Sequence, residues 1–134
     1  MLKEKQICII DDDDICTVIM KKNISKLYPA LPIASYKHGQ EALDAFMKLK
    51  HDEEELSCVI FLDLNMPVLD GWEFLEIFTR LIRKTKKQVS IYVISSSISN
   101  TDKSRVSSYH EVSGYLLKPI TRSMLQEVVD KELE

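Results

Sequence analysis

The sequence predicts a doubly wound α/β fold, a parallel five-stranded sheet in the order 2-1-3-4-5 covered by five helices. Two observations predict it. Short apolar runs of strand length alternate with longer stretches of helical spacing across the 134 residues. The strand-like runs are apolar on both faces while the helical stretches carry a single apolar stripe, which suits parallel strands buried between two helical layers. Antiparallel strands with one wet face would alternate in polarity instead. The order 2-1-3-4-5 is the flavodoxin-like one, in which ligands bind beyond the carboxyl ends of the strands.

The elements follow in turn. The first strand is read at 6–10, Gln-Ile-Cys-Ile-Ile. Four aspartates come next: counted from the strand, Asp11 and Asp12 follow Ile10 directly, Asp13 falls in a loop and Asp14 is placed as the N-cap of the first helix. A weaker strand is read around 32–36, and the second helix takes its stripe from Ala42, Leu43, Phe46 and Leu49. The acidic run Asp52-Glu53-Glu54-Glu55 reads as a solvated loop before the strand at 58–62. In the third helix Phe74, Leu75, Phe78, Leu81 and Ile82 fall on one face, and Arg80, Arg83, Lys84, Lys86 and Lys87 close it, where cations suit the negative end of the helix dipole. Trp72 opens that helix and is read as half-buried packing. A strand at 89–94 leads to a helix around 101–112 anchored only by Val106, Tyr109 and Val112. The last strand, 115–117, precedes a helix with Met124, Leu125, Val128 and Val129 on its buried side.

Composition narrows the function classes. With 45% hydrophobic and 29% charged residues, Gly 3 and Pro 4, the chain is of ordinary globular type, and its length lets a core form without disulfides or a structural metal. A formal charge of -3 argues against a module built to neutralise nucleic-acid phosphates. The longest apolar run, 58–62, is far short of the ~20 residues of a membrane span. The charged start Met1-Leu2-Lys3-Glu4-Lys5 lacks a secretory signal, so a cytoplasmic location is expected. Cys8, Cys16 and Cys58 have no C-x-x-C spacing and read as reduced thiols; His38, His51 and His110 are scattered and read as surface residues. No repeat or linker interrupts the chain, and 1–134 is read as one domain.

The chemistry lies in the polar residues that close the strands. Asp11 and Asp12 follow the first, Asp63 the third, Ser95 the fourth and Lys118 the fifth, and the predicted order makes these four strands neighbours. Three carboxylates, a hydroxyl and an ammonium would therefore meet in one pocket. Carboxylates ~4–6 Å apart repel by a few kcal/mol per pair even at an effective dielectric near 20, so a cation must offset them. All-oxygen ligation in an open site suits a hard ion that keeps waters and awaits phosphate oxygens, the habit of Mg²⁺.

These residues carry a resemblance. Ile9-Ile10-Asp11-Asp12, Asp63-Leu64-Asn65-Met66-Pro67 with Asp70-Gly71, Ser95, and Lys118-Pro119 resemble the receiver domain of two-component response regulators of the stand-alone CheY-like kind, over essentially the whole chain. The resemblance implies that Asp63 is the phosphoryl acceptor, that Asp11, Asp12, Asp63 and the Asn65 main-chain carbonyl hold Mg²⁺, and that Lys118 is the ionic partner of the phosphoryl group. It implies that Ser95 is the switch hydroxyl, in place of the commoner threonine, that Tyr115 is the aromatic switch, and that the Lys118–Pro119 peptide is cis. The implied partners are a sensor histidine kinase or histidine phosphotransfer protein and a downstream protein target, without direct nucleic-acid or membrane contact. Val112-Ser113-Gly114-Tyr115 lacks the acidic residue that often precedes the aromatic in dimerising transcription-factor receivers, so a monomer or weak dimer is expected.

On this reading the chain is a signalling switch rather than a turnover enzyme. An aspartate-nucleophile phosphatase would need an acid/base aspartate where Asn65 stands, together with a longer chain. A flavodoxin would need a phosphate-cradling loop where the four aspartates lie. A receiver-like binding module that is never phosphorylated would normally have lost part of the acidic, hydroxyl and lysine set, which is complete here.

Overall fold

The computed structural model describes residues 5–48, 57–84, 88–97 and 99–134. Its elements are β1 (Lys5–Ile10), α1 (Asp14–Leu27), β2 (Ile33–Tyr36), α2 (Gly39–Lys48), β3 (Ser57–Asp63), α3 (Gly71–Ile82), β4 (Gln88–Ser95), α4 (Asn100–Ser107), β5 (Val112–Leu117) and α5 (Arg122–Leu133). All strand pairs are parallel, in the order β2-β1-β3-β4-β5. Leu49, His51, Asp52–Glu55, Lys86 and Lys87 lie outside the described residues.

Successive side chains of a strand point to opposite faces, and β1 and β3 fill both with apolar groups. Cys8, Ile10, Ile60 and Leu62 pack with Leu43, Phe74 and Phe78 of α2 and α3. Ile7, Ile9, Val59 and Phe61 pack on the other side with Met20, Ile24, Leu125 and Val129 of α1 and α5. A third, small cluster of Leu64, Val93 and Val106 joins the end of β3 to α4, with Trp72 packed against it as the half-buried residue expected. Cys8 and Cys58 are buried free thiols, Cys16 is a half-buried one, and His38 and His110 are exposed.

Three expectations are corrected. Asp13, not Asp14, caps α1: its carboxylate accepts from the amides of Ile15 and Cys16 at 3.0 and 3.2 Å. The Asp11 carboxylate accepts from the Asp13 amide at 2.9 Å, which tightens the loop and leaves Asp13 in the extended conformation a cap requires. Asp14 is the first helical residue and pairs with Lys37 at 3.2 Å on the surface. The fourth helix ends at Ser107 rather than 112. There the Ser108 hydroxyl donates to the Arg105 carbonyl, and four-residue turns from Val106 to Tyr109 and from Tyr109 to Val112 carry the chain into β5. β5 is longer than the 115–117 expected and alternates between half-buried and exposed residues, because it is the sheet edge. Tyr109 and Val112 therefore anchor the turn and the strand, and Val106 is the buried residue of α4.

Candidate functional site

Parallel strands bring their carboxyl ends to one side of the sheet, and four adjacent strands end there in polar residues. Asp11 leaves β1, Asp63 closes β3, Ser95 closes β4 and Lys118 follows β5. Asp11 and Asp63 are 1% and 4% exposed, Ser95 is buried, and Asp12 faces solvent. Carboxylate oxygens of Asp11, Asp12 and Asp63 all lie within 4.8 Å of one another. Lys118 Nζ reaches both buried acids, at 3.0 Å from Asp11 Oδ2 and 3.7 Å from Asp63 Oδ2. The Lys118–Pro119 peptide is cis, as the resemblance implies.

Local geometry holds the two buried acids. The Asp63 carboxylate accepts from the Asn65 amide at 3.1 Å, as Asp11 accepts from Asp13, so each acid is fixed by the backbone two residues on. α3 starts close to this loop: Gly71 donates its amide to the Leu64 carbonyl at 2.9 Å, and a Cβ on Gly71 would stand 2.5 Å from Leu64 Cα. Asp70 caps α3 in a reciprocal capping box with Glu73. Glycine is needed there for the close approach of the helix to the end of β3.

The charges do not balance. Burial pushes the Asp63 carboxyl up to about 7; the hydrogen bond and charge of Asp11 add to this, against the Asn65 amide and Lys118. Burial pulls the Lys118 ammonium down, but the hydrogen bond and charge of Asp11 and the charge of Asp63 outweigh it, so its pKa rises and it stays a cation at neutral pH. One ammonium thus faces three carboxylates. An oxygen-only cluster with one solvent-facing member can hold a hard divalent cation, and the same pocket can accept a phosphoryl group whose oxygens would find both cations.

The structure brings Asp11, Asp12, Asp63 and Lys118 into contact range and sets Ser95 on the adjoining strand end. The Ser95 hydroxyl donates to the Ser97 carbonyl at 2.7 Å, toward the β4–α4 loop. Tyr115 is 40% exposed on the edge strand, with Lys103 Nζ 5.0 Å from its ring centroid. Sequence reasoning missed two features. A groove of about 380 Å³ beside Lys118 is lined by Cys16, Ile19, Met20, Pro119 and Ile120. Its signal was the run Ile15, Val18, Ile19, exposed apolar residues on α1 that no single buried stripe explains. The second is Val68, 91% exposed with φ 68 in a turn closed by the Leu69 amide on the Pro67 carbonyl at 2.8 Å. A β-branched residue in the left-handed region is uncommon, and the turn after Pro67 was the available hint.

Comparison with known proteins identifies the family and the fold. The family model for the response regulator receiver domain matches residues 7–130. An uncharacterized response regulatory protein of Vibrio cholerae is 32% identical over 126 residues, 92% of this chain and 42% of that protein, so the chain spans less than half of that relative. The crystal structure of a two component response regulator from Cytophaga hutchinsonii superposes with a TM-score of 0.84 at 27% identity, covering 98% of each chain. Vibrio cholerae chemotaxis protein CheY4 shares the fold at a TM-score of 0.73 and 21% identity, over 97% of this chain and 98% of that one.

Proposed function

The chain belongs to the response regulator receiver family of two-component systems, and from that premise we propose that Asp63 is its phosphoryl acceptor in a Mg²⁺-dependent reaction. The observation that carries the reading is Lys118 Nζ held between Asp11 and Asp63 at a pocket with three carboxylates and one ammonium. Asp11, Asp12, Asp63 and the Asn65 main-chain carbonyl would hold the ion, which when bound neutralises charge on the transferring group.

The reaction is an in-line displacement. An Asp63 oxygen attacks the phosphorus of a phosphohistidine, the P–N bond breaks, and the imidazole leaves on the donor protein. The Asn65 amide orients the acceptor carboxylate, and Lys118, already at 3.7 Å, follows the charge onto the phosphoryl oxygens. Asp11 keeps Lys118 aimed into the pocket. Water later attacks the phosphorus and the acyl phosphate releases inorganic phosphate, so the domain is a signalling device that catalyses its own modification rather than a turnover enzyme.

The donor is a sensor histidine kinase or histidine phosphotransfer protein. The Ser95 hydroxyl leaves the Ser97 carbonyl for a phosphoryl oxygen, Tyr115 moves inward, and the face of α4, β5 and α5 changes for a downstream protein. Residues 1–134 act as one receiver domain in the cytoplasm, as a monomer or weak dimer. Among the described residues no helix is long and apolar enough to cross a membrane. Incubation with a phosphohistidine donor or acetyl phosphate and Mg²⁺ tests the reading: the parent is labelled and Asp63→Asn is not. Undiminished labelling of Asp63→Asn would refute it.

A further inference from the structure

Little apolar burial holds α4 to the molecule. Of Asn100–Ser107 only Val106 is buried, in the cluster with Leu64 and Val93. Two cations of the same helix add contacts with aromatic rings on either flank. Lys103 Nζ lies 5.0 Å from the Tyr115 centroid on β5, and the Arg105 guanidinium lies 4.2 Å from the Trp72 centroid on α3. Beyond the helix, the Tyr109 hydroxyl donates to the Glu76 carboxylate at 3.1 Å, a second tie to α3.

The two ring contacts differ in what sustains them. Tyr115 is on the exposed edge strand, and its contact with Lys103 lasts only while the ring stays on the surface. Trp72 directly follows Gly71, where α3 packs on Leu64, the neighbour of Asp63, and its indole also covers the Leu64, Val93 and Val106 cluster. Arg105 therefore ties α4 to a helix rooted at the strand end that carries Asp63.

We propose that Arg105, stacked on Trp72, is a positioning residue that holds α4 in its resting place and thereby sets how readily the domain switches. The proposal rests on Asp63 being the phosphoacceptor. If the stack belongs to the resting state, removing it lowers the cost of leaving that state, and a ligand that selects the rearranged state binds more tightly by the same factor. A cation over an aromatic face at an exposed site corresponds to about a two- to fivefold change in that equilibrium.

Intrinsic helix propensity supplies a control of opposite sign. Gln is close to Arg as a helix former and Ala is better, so propensity alone predicts unchanged or slower amide exchange across 100–107 in Arg105→Gln and Arg105→Ala. Loss of the stack predicts faster exchange. The experiment compares the 134-residue parent with Arg105→Gln, Arg105→Ala and Arg105→Lys, reading amide exchange without ligand and the midpoint of a beryllofluoride titration in excess Mg²⁺. The chain has one tryptophan, so acrylamide quenching reports Trp72 directly.

In Arg105→Gln and Arg105→Ala, quenching rises, exchange across 100–107 quickens about two- to fivefold and the beryllofluoride midpoint falls by a similar factor. Arg105→Lys, which keeps the cation, lies between the parent and Arg105→Gln in all three. Unchanged quenching or exchange overturns the latch. Faster exchange with an unchanged midpoint overturns the switching role, because the contact would then persist in both states. A parent that gives no saturable beryllofluoride response overturns the phosphoacceptor reading, and the positioning role with it.

Discussion

Replacing Asp63 by Asn removes a carboxylate that the metal-free fold disfavours. The Asp63 carboxyl rises from 3.8 to about 7 on folding, with burial as the largest cause. A carboxyl whose folded pKa is raised contributes stability fully below its unfolded pKa, and that contribution is lost as pH rises through the folded value. Here the loss runs from about pH 4 to about pH 7. At about 1.4 kcal/mol per unit, a rise of about 3 units bounds the penalty above pH 7 at about 4 kcal/mol. Asn keeps an oxygen for the Asn65 amide, while Lys118 keeps Asp11 at 3.0 Å but loses its second partner, so about half of that bound is expected to appear. Urea unfolding with a metal chelator present, at pH 5 and pH 8, measures it. Asp63→Asn should exceed the parent by about 2 kcal/mol at pH 8, with a smaller gap at pH 5. Mg²⁺ should then stabilise the parent more than the variant. A parent as stable as Asp63→Asn at pH 8 without metal, or a gap that ignores pH, would refute the electrostatic reasoning.

Asp13→Ala should lose about 1 kcal/mol of stability through the α1 cap, whereas Asp14→Ala, which gives up an exposed ion pair and a first-turn charge but gains helix propensity, should lose under about 0.5 kcal/mol; thermal unfolding ranks them, and the reverse order would return the cap to Asp14. Lys118→Ala should keep the far-ultraviolet spectrum of the parent while losing most of the spectral response to beryllofluoride, and an undiminished response would remove the lysine from the reaction. Beryllofluoride should change amide exchange in 96–116 more than in α2, because α4 has one buried anchor and elements of low local stability are those that move. A change confined to α1 or α2 would place the output elsewhere.

Much of the fold could be read from residue pattern because β1, β3 and β4 are buried on both faces, so their apolar runs stand out from the helical spacing around them. Once the strand order followed, the placement of Asp11, Asp63 and Lys118 at one pocket followed too, since each adjoins a strand end. Where burial is one-sided the pattern weakens. Ser113 interrupts the apolar signal of the edge strand β5, so the pattern shows the strand only from 115 and leaves its first residue, Val112, inside the helix expected over 101–112. The Asp13 cap rests on the hydrogen bonds that its carboxylate accepts from the Ile15 and Cys16 amides and on its own amide donating to Asp11, contacts that composition cannot show. Residue type located Ser95 at the site, but its hydroxyl is turned by the local conformation of the loop that brings the Ser97 carbonyl to it, and the outward ring of Tyr115 is set by Lys103 of a different element.

Chemical mapping of the acyl phosphate tests the central claim most directly. The parent is incubated with a phosphohistidine donor and Mg²⁺, reduced with borohydride so that a phosphorylated aspartate becomes homoserine, and digested for mass spectrometry. Homoserine at position 63, dependent on donor and Mg²⁺ and absent from Asp12→Ala at short times, is the expected result. Homoserine at Asp11, Asp12 or another acid with Asp63 unmodified, or labelling indifferent to Mg²⁺, would contradict the assignment.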